Sequence, residues 1–229
     1  MFKLILKNLI LISVFSMLSI SSQAGTLAET PANPLPLVNV PVYELAARKS
    51  NYQGDVFLLR GFANIFSRGL DAMGAELNAR GIKAQVLHHT SWRYAARTII
   101  ANQKKYGRVP VVLIGHSLGA NAIIRIAERL KKHKIRVQYL ATFEPTQSLI
   151  VPSNVGVAVN YYLSNSSMGL PLEKARGSRG KFENKNMIAI EGIGHFNIEK
   201  QRVLQRSVIA RVLRYVKPTR ARKSAQLSK

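Results

Sequence analysis

The pentapeptide Gly115-His116-Ser117-Leu118-Gly119 has the clearest chemical potential in this chain, because it fits the pattern Gly-x-Ser-x-Gly. An apolar run precedes it, and apolar residues at helical spacing follow it. A sharp strand-to-helix turn strains the backbone of its serine, and side chains in place of the flanking glycines would collide with the neighbouring strand and helix. The pattern therefore predicts Ser117 as a nucleophile, with the backbone N–H of Leu118 as one donor to a developing oxyanion.

A serine hydroxyl is a poor nucleophile without a base, and a histidine is the expected base. Of the five histidines, His116 sits inside the turn beside the serine and is expected to face elsewhere, and His133 ends a polar run. His88 and His89 are consecutive near a predicted strand end, so they point to opposite faces. One of them could lie at a pocket rim, although a solvated or hydrogen-bonded structural histidine is the simpler interpretation. His195, in a glycine-rich segment after the last predicted strand, is interpreted as the general base.

An acid that orients the histidine must lie between Ser117 and His195, at the end of a strand. No aspartate follows Asp71, so the acid has to be a glutamate. Glu144 directly follows the apolar run 137–143 and is itself followed by proline, which predicts it as the acid. A solvent-facing Glu144 is the alternative, with Glu173 or Glu191 as the acid in that case.

A second oxyanion donor is expected from the backbone after the first core strand, in the segment Arg60-Gly61-Phe62-Ala63-Asn64. The amide of Phe62 is the predicted donor, and the amide of Ala63 is the alternative. Only the backbone is required here, so residue type offers little guidance.

From residue 55 onward, short apolar runs alternate with amphipathic helical stretches, which predicts α/β architecture with a mostly parallel sheet and helices on both faces. The predicted order is strands at 56–59, 83–88, 109–114, 137–143, 155–163 and 187–190, with helices at 67–79, 92–106, 118–132 and 198–216. Residues 164–183 are predicted to be irregular, and whether they form a lid is left open. The domain is expected to span 55–216, after a proline-containing lead-in at 25–54 and before a basic tail at 217–229.

The segment from about 55 to 216 resembles the α/β-hydrolase superfamily, particularly its compact lipase- and thioesterase-like members. Gly-His-Ser-Leu-Gly is a frequent form of the turn in those enzymes, and Glu144-Pro145 resembles the Asp-Pro of several lipases, with one methylene more. The resemblance implies the chain order nucleophile, acid, histidine, a sheet reduced to about six strands, and acyl transfer to water. It does not name a substrate.

The N-terminus is predicted to be an export signal. Lys3 and Lys7 precede an apolar run at 9–20, and Ser22-Gln23-Ala24 offers small residues for cleavage before Gly25. The signal peptide would span 1–24 and give a periplasmic or secreted protein. An uncleaved membrane anchor is the alternative, but the run is shorter than the ~20 residues that span a bilayer.

The chain carries a formal net charge of +23 and no cysteine. Absence of cysteine excludes disulfides, a thiol nucleophile and a cysteine-based metal site. Such a charge attracts anionic surfaces, and for an exported protein an anionic membrane or envelope is a better partner than nucleic acid. A solvated cationic surface without a specific partner is the alternative. The sequence does not predict the oligomeric state.

Two functions follow from these observations. The first is hydrolysis of a small-molecule or lipid ester or thioester through an acyl-serine intermediate, which requires no cofactor or metal. The second is a non-catalytic envelope-binding protein of the same fold that uses its basic surface. A nucleotide-binding function is excluded by the absence of a glycine-rich dinucleotide or phosphate-loop motif.

Overall fold

The computed structural model describes residues 52–62 and 67–218. The predicted signal peptide at 1–24 lies outside the described residues, as do most of the lead-in at 25–54 and most of the tail at 217–229. These three assignments therefore stay predictions. Within the described ranges, no helix has the length and apolar character needed to cross a membrane.

The core of the fold is a six-stranded sheet in which every neighbouring pair of strands is parallel. Its strands, in spatial order, are β2 (Ala84–His88), β1 (Asp55–Arg60), β3 (Val111–His116), β4 (Val137–Phe143), β6 (Val155–Tyr162) and β8 (Lys181–Asn186). The central strands β1, β3 and β4 are nearly continuous in buried apolar residues, because helices cover both of their faces. The predicted sheet of about six parallel strands is confirmed.

In the described part of the chain, four helices cover the two faces of the sheet: α1 (Arg68–Ala79), α2 (Trp92–Tyr106), α3 (Leu118–Lys132) and α4 (Arg202–Tyr215). Val56 and Leu58 of β1 pack with α1 and α4, whereas Phe57 and Leu59 pack with α2 and α3. This alternation follows from the two-residue period of a strand. The architecture is α/β-hydrolase-like, as the resemblance implies.

The predicted last strand at 187–190 is wrong, because the strand that closes the sheet is β8 and residues 188–190 form a turn. Among the strands of residues 52–62 and 67–218, β8 lies at the edge and pairs with β6 alone, so its polar sequence needs no apolar pattern. Asn184 anchors it by accepting hydrogen bonds from the Asn160 amide at 2.9 Å and the Leu172 N–H at 3.1 Å. Of the apolar residues that suggested a strand, Ile188 and Ile190 lie instead in an exposed turn, whereas Met187 packs against the core.

Other boundaries also differ from the predictions, and β3 runs over Val111–His116, two residues later than the predicted 109–114. The segment 164–183 is not wholly irregular, since β7 (Glu173–Lys174) pairs in parallel with β5 (Ile150–Val151) and β8 begins at Lys181. The predicted final helix is divided into a 3₁₀ turn at Ile198–Lys200 and α4, which begins at Arg202. These differences leave the carboxyl ends of β1, β3 and β4 at one edge of the sheet, where polar loops meet in parallel α/β folds.

Candidate active site

The turn between β3 and α3 holds Ser117 in a strained conformation, with φ 57° and ψ −125°. A Cβ on Gly115 would overlap the backbone of Gly119, and one on Gly119 would overlap the Leu59 carbonyl of β1. The Ser117 N–H is fixed by donating to the Phe143 carbonyl at 2.9 Å. The glycines are therefore required by close backbone packing, and the turn presents the serine hydroxyl above the sheet.

The structure brings the three side chains Ser117, His195 and Glu144 together in one hydrogen-bonded row. His195 Nε2 lies 3.1 Å from Ser117 Oγ, and His195 Nδ1 lies 3.3 Å from Glu144 Oε2. The carboxylate can only accept from Nδ1–H, which leaves the Nε2 lone pair to accept from the serine hydroxyl. This tautomer is the one in which the imidazole can remove the serine proton. The alternative acids Glu173 and Glu191 are exposed to solvent.

Glu144 is fully buried, and its environment fixes the carboxylate on both sides. Its backbone has φ 49°, and its N–H donates to the Tyr161 carbonyl at 2.8 Å. The Leu163 N–H donates to Glu144 Oε1 at 2.6 Å, so each oxygen has one donor. A Cβ on Gly169 would overlap the carboxylate, which shows how closely that loop covers it. The carboxylate is therefore held against His195 and shielded from water.

His116 belongs to the site, although its ring forms no hydrogen bond with the side chains of Ser117, His195 or Glu144. Its Nε2 lies 2.7 Å from the backbone carbonyl of His195, and its Nδ1 lies 2.7 Å from Ser67 Oγ. Because a carbonyl can only accept, Nε2 carries the proton and Nδ1 accepts from the Ser67 hydroxyl. Ser67 Oγ in turn accepts from the Gly61 N–H at 3.0 Å. One chain of hydrogen bonds thus joins the loop after β1 to the loop that carries His195.

Burial holds His116 in its neutral form by lowering its pKa to about 4. Glu199 lies beneath it, with Oε2 3.9 Å from His116 Nε2, and neither oxygen of Glu199 has a hydrogen-bond partner among the described residues. Burial raises the pKa of Glu199 more than the nearby backbone amides of Glu199 and Gly69 lower it. A neutral imidazole does not attract the carboxyl group as a cation would, so this contact is not an ion pair.

The two predicted oxyanion donors belong to residues near the serine: Leu118 follows it in sequence, and Phe62 follows Gly61, which packs on it. Leu118 is the first residue of α3, where an N–H has no partner within the helix. Phe62 follows Gly61, which packs so closely that a Cβ there would lie 2.9 Å from the Ser117 Cβ. Neither amide donates a hydrogen bond within residues 52–62 and 67–218. The alternative donor, Ala63, lies outside the described residues.

An apolar cavity of about 320 Å³ opens beside Ser117. Leu118, Thr146 and Met168 contribute to its wall, and Phe62 and Phe196 flank its opening with 67% and 49% of their surfaces exposed. Met168 comes from the segment predicted to be irregular, so part of that segment forms the cavity wall. No cluster of three metal-binding side chains occurs among the described residues.

Three residues of the site were not identified from the sequence: Ser67, Gly169 and His116, the last of which was expected to face elsewhere. All three act through contacts between distant parts of the chain, namely the Ser67–His116 bond, the bond to the His195 carbonyl and the packing of Gly169 on Glu144. No local pattern reports such contacts. For His116 alone there was a signal, because a histidine directly beside a predicted nucleophile can reach only residues around the site.

No protein-family model and no curated protein matches this chain. Among solved structures, it is similar to a type II thioesterase from the borrelidin biosynthetic cluster, with 14% identity, coverage of 70% of this chain and 93% of that one, and TM-score 0.44. It is also similar to the thioesterase domain that cyclises the lipopeptide antibiotic surfactin, with 13% identity, coverage of 74% and 95%, and TM-score 0.42. Lipase B of Aspergillus fumigatus has 9% identity, coverage of 64% of this chain and 50% of that one, and TM-score 0.39.

Replacing Glu144 with Gln tests its role as the orienting acid. The amide keeps the shape but loses the charge that stabilises a protonated His195, so kcat for a p-nitrophenyl ester should fall by about 10²–10⁴-fold, with less effect on KM. Glu191→Gln is the matched control, because this exposed side chain should be replaceable without effect. A larger loss in Glu191→Gln than in Glu144→Gln would show that Glu144 is not the acid.

The pKa of His116 predicts how stability depends on pH. Unfolded histidine titrates near its ordinary value of about 6.5, whereas folded His116 stays neutral down to about 4. The unfolded state therefore binds more protons in this window, and the His116 contribution to the free energy of unfolding falls as the pH decreases from about 6.5 to 4.

Urea denaturation at pH 7.5 and pH 5 would measure this contribution. Glu199, with its raised pKa, contributes with the opposite sign, so the wild type is compared with His116→Gln to isolate the histidine. The wild type should lose more stability between the two pH values than His116→Gln does. The exposed His133→Gln control should behave as the wild type. Identical losses in all three proteins would contradict a buried neutral His116.

Proposed function

We propose that this protein is a serine hydrolase that cleaves a carboxylic ester or thioester through an acyl-serine intermediate. The observation that carries the proposal is the hydrogen-bonded row Ser117–His195–Glu144, which ends at an apolar cavity and has two unoccupied backbone amides beside the serine. A turn that serves only structure would not require a buried carboxylate and a correctly oriented imidazole next to its hydroxyl.

In the first half of the proposed reaction, His195 Nε2 accepts the proton of Ser117 as Oγ attacks the substrate carbonyl carbon. The carbonyl oxygen becomes an oxyanion, which the N–H groups of Leu118 and Phe62 stabilise. Glu144 stabilises the imidazolium at Nδ1 without itself being protonated. The tetrahedral intermediate then collapses: the bond to the alcohol or thiol breaks, His195 donates its proton to that group, and the acyl group stays on Ser117.

In the second half, His195 removes a proton from water, and the resulting oxygen attacks the acyl carbon. The same amides stabilise the second oxyanion, and its collapse returns the proton to Ser117 Oγ and releases a carboxylic acid. The apolar wall beside Ser117 would accommodate the hydrocarbon part of the acyl group, since burying apolar surface stabilises such a complex. All groups required for both halves are side chains and amides of this chain.

A second candidate function is binding to an anionic membrane or envelope after export. It is favoured by a second cavity, which lies where β3 and β4 begin, at the ends of the strands opposite Ser117. This cavity of about 430 Å³ is lined by Arg108, His133, Lys134 and Arg136 and by no carboxylate. None of these Arg and Lys side chains makes an ion pair with the described residues. Unpaired cations of this kind attract lipid phosphates. The two candidate functions are compatible, because they use opposite ends of the strands.

Replacing Ser117 with Ala tests the proposed chemistry directly. Ser117→Ala should abolish both p-nitrophenyl ester turnover and labelling by a fluorophosphonate, because each requires nucleophilic Oγ. The far-UV circular dichroism and melting temperature should stay close to those of the wild type. The exposed Ser207→Ala variant is the control and should be labelled normally. Full activity in a folded Ser117→Ala protein would overturn the proposed function.

Binding to vesicles tests the proposal of an anionic surface. The protein should sediment with vesicles that contain phosphatidylglycerol and dissociate as salt rises toward ~0.5 M, where the Debye length is only a few Å. The double variant Arg108→Gln/Arg136→Gln should bind more weakly than Arg206→Gln/Arg214→Gln, which removes the same charge from α4. Equal weakening would assign the effect to net charge alone, and equal binding to neutral phosphatidylcholine vesicles would exclude an electrostatic role.

A further inference from the structure

Gly61 is held by side chains on both of its polar backbone groups. Its N–H donates to Ser67 Oγ at 3.0 Å, and its carbonyl lies 3.1 Å from His89 Nδ1. Because the carbonyl can only accept, His89 carries a proton on Nδ1. Gly61 is buried and packs on Ser117, so these two bonds act at the position where the backbone passes closest to the candidate nucleophile.

The bond from His89 also determines the direction of the next amide. A trans peptide is planar, with its carbonyl and its N–H pointing in opposite directions, and no cis peptide occurs in the described residues. The Gly61 carbonyl and the Phe62 N–H belong to the same peptide. When His89 fixes the carbonyl, it therefore fixes the Phe62 N–H on the opposite side, and that N–H donates to none of the described residues.

From this geometry we infer that His89 is a positioning residue for the oxyanion site, in that its Nδ1–H holds the Gly61–Phe62 peptide so that the Phe62 amide is directed toward the substrate. The inference rests on the proposed function. His89 would touch neither substrate nor reacting atoms, and it would act only through this peptide. Without a side-chain donor, the peptide beside a glycine would rotate easily, because glycine lacks the steric limits of other residues.

The local fold explains why the donor is a histidine at this position. β2 pairs in parallel with β1, and His88 lies opposite Arg60 at the ends of the two strands. The residues that directly follow, His89 and Gly61, therefore also lie close together. His88 Nδ1 lies 2.8 Å from Thr90 Oγ1, and the His88 ring contacts the His89 ring with centroids 4.0 Å apart, so the prediction that the two side chains point to opposite faces is wrong. An imidazole with a proton on Nδ1 donates in its neutral form and in its charged form alike, so the bond does not depend on the charge of His89.

Substitutions at position 89 distinguish the effect of losing the hydrogen-bond donor from the effect of losing the imidazole ring. The His89→Asn side chain places an NH₂ donor near the position of Nδ1, whereas His89→Gln places it one bond farther, and His89→Ala has no donor. With p-nitrophenyl butyrate, His89→Ala and His89→Gln should lower kcat by about 10–10³-fold with little change in KM, the effect of a misplaced oxyanion donor. His89→Asn should restore most of kcat, and the exposed, distant His133→Ala control should retain wild-type kcat.

Inhibition by butylboronic acid supplies a second measurement, because its tetrahedral adduct on the serine places an oxygen where the oxyanion forms. Its inhibition constant should rise in parallel with the loss of kcat in His89→Ala and return toward the wild-type value in His89→Asn. Melting temperatures are measured for all variants. Wild-type kcat and inhibition in a folded His89→Ala protein would overturn the inference, as would a loss that His89→Asn fails to restore.

The same experiments distinguish failure of this inference from failure of the proposed function. A wild-type protein that neither hydrolyses p-nitrophenyl butyrate nor reacts at Ser117 with a fluorophosphonate would overturn both. A wild-type protein that does both, together with an unaffected His89→Ala, would overturn the positioning role alone. Should His89→Ala fail to fold, the comparison of His89→Asn with His89→Gln decides, since both retain a polar side chain of similar size.

Discussion

The hydrogen bond from neutral His116 to the His195 carbonyl is the interaction on which the geometry of the site depends. His195 lies on a loop after the edge strand of the sheet, with no regular element of its own to hold it. His116 lies at the end of a central strand that is buried on both faces. Its Nε2 donates to the His195 carbonyl at 2.7 Å and so holds the loop against this strand. The His195 carbonyl can only accept, which places the proton on Nε2, and burial keeps the ring neutral so that Nδ1 can accept from Ser67.

The same histidine joins the two sides of the site, since its other nitrogen holds Ser67 and Ser67 holds Gly61. Glu144 stabilises the row from the other direction. A buried carboxylate is costly unless donors satisfy it, and here the Leu163 N–H and His195 Nδ1–H each occupy one oxygen. The longer glutamate is accommodated because Gly169 leaves space over its carboxylate. His195 is therefore held at its backbone carbonyl by His116 and at Nδ1 by Glu144, and each of these two partners is itself held by other groups.

Much of this arrangement could be predicted from the sequence, because it rests on patterns within short segments. The continuous apolar runs of β3 and β4 placed Ser117 and Glu144 at strand ends, and the helices after β2 and β3 were predicted with the bounds observed. The edge strand β8 was missed, because a strand paired on one side and half-exposed carries no apolar pattern. The roles of His116 and His89 were missed for another reason: each depends on a partner that only the tertiary fold brings near, 79 residues away for His116 and 28 for His89.

In a protein of net charge +23, the site also depends on where the cationic side chains lie relative to the apolar cavity. None of the described residues that line the apolar cavity is lysine or arginine, and cations gather instead around the opposite ends of β3 and β4. A cation in the cavity wall would attract the Glu144 carboxylate and oppose protonation of His195, strongly so in an apolar surrounding. A strand the length of β3 separates the two edges by about 20 Å. In the proposed function, the edge that would attract an anionic surface therefore lies at the far end of the strands from the His195 imidazolium of the proposed reaction.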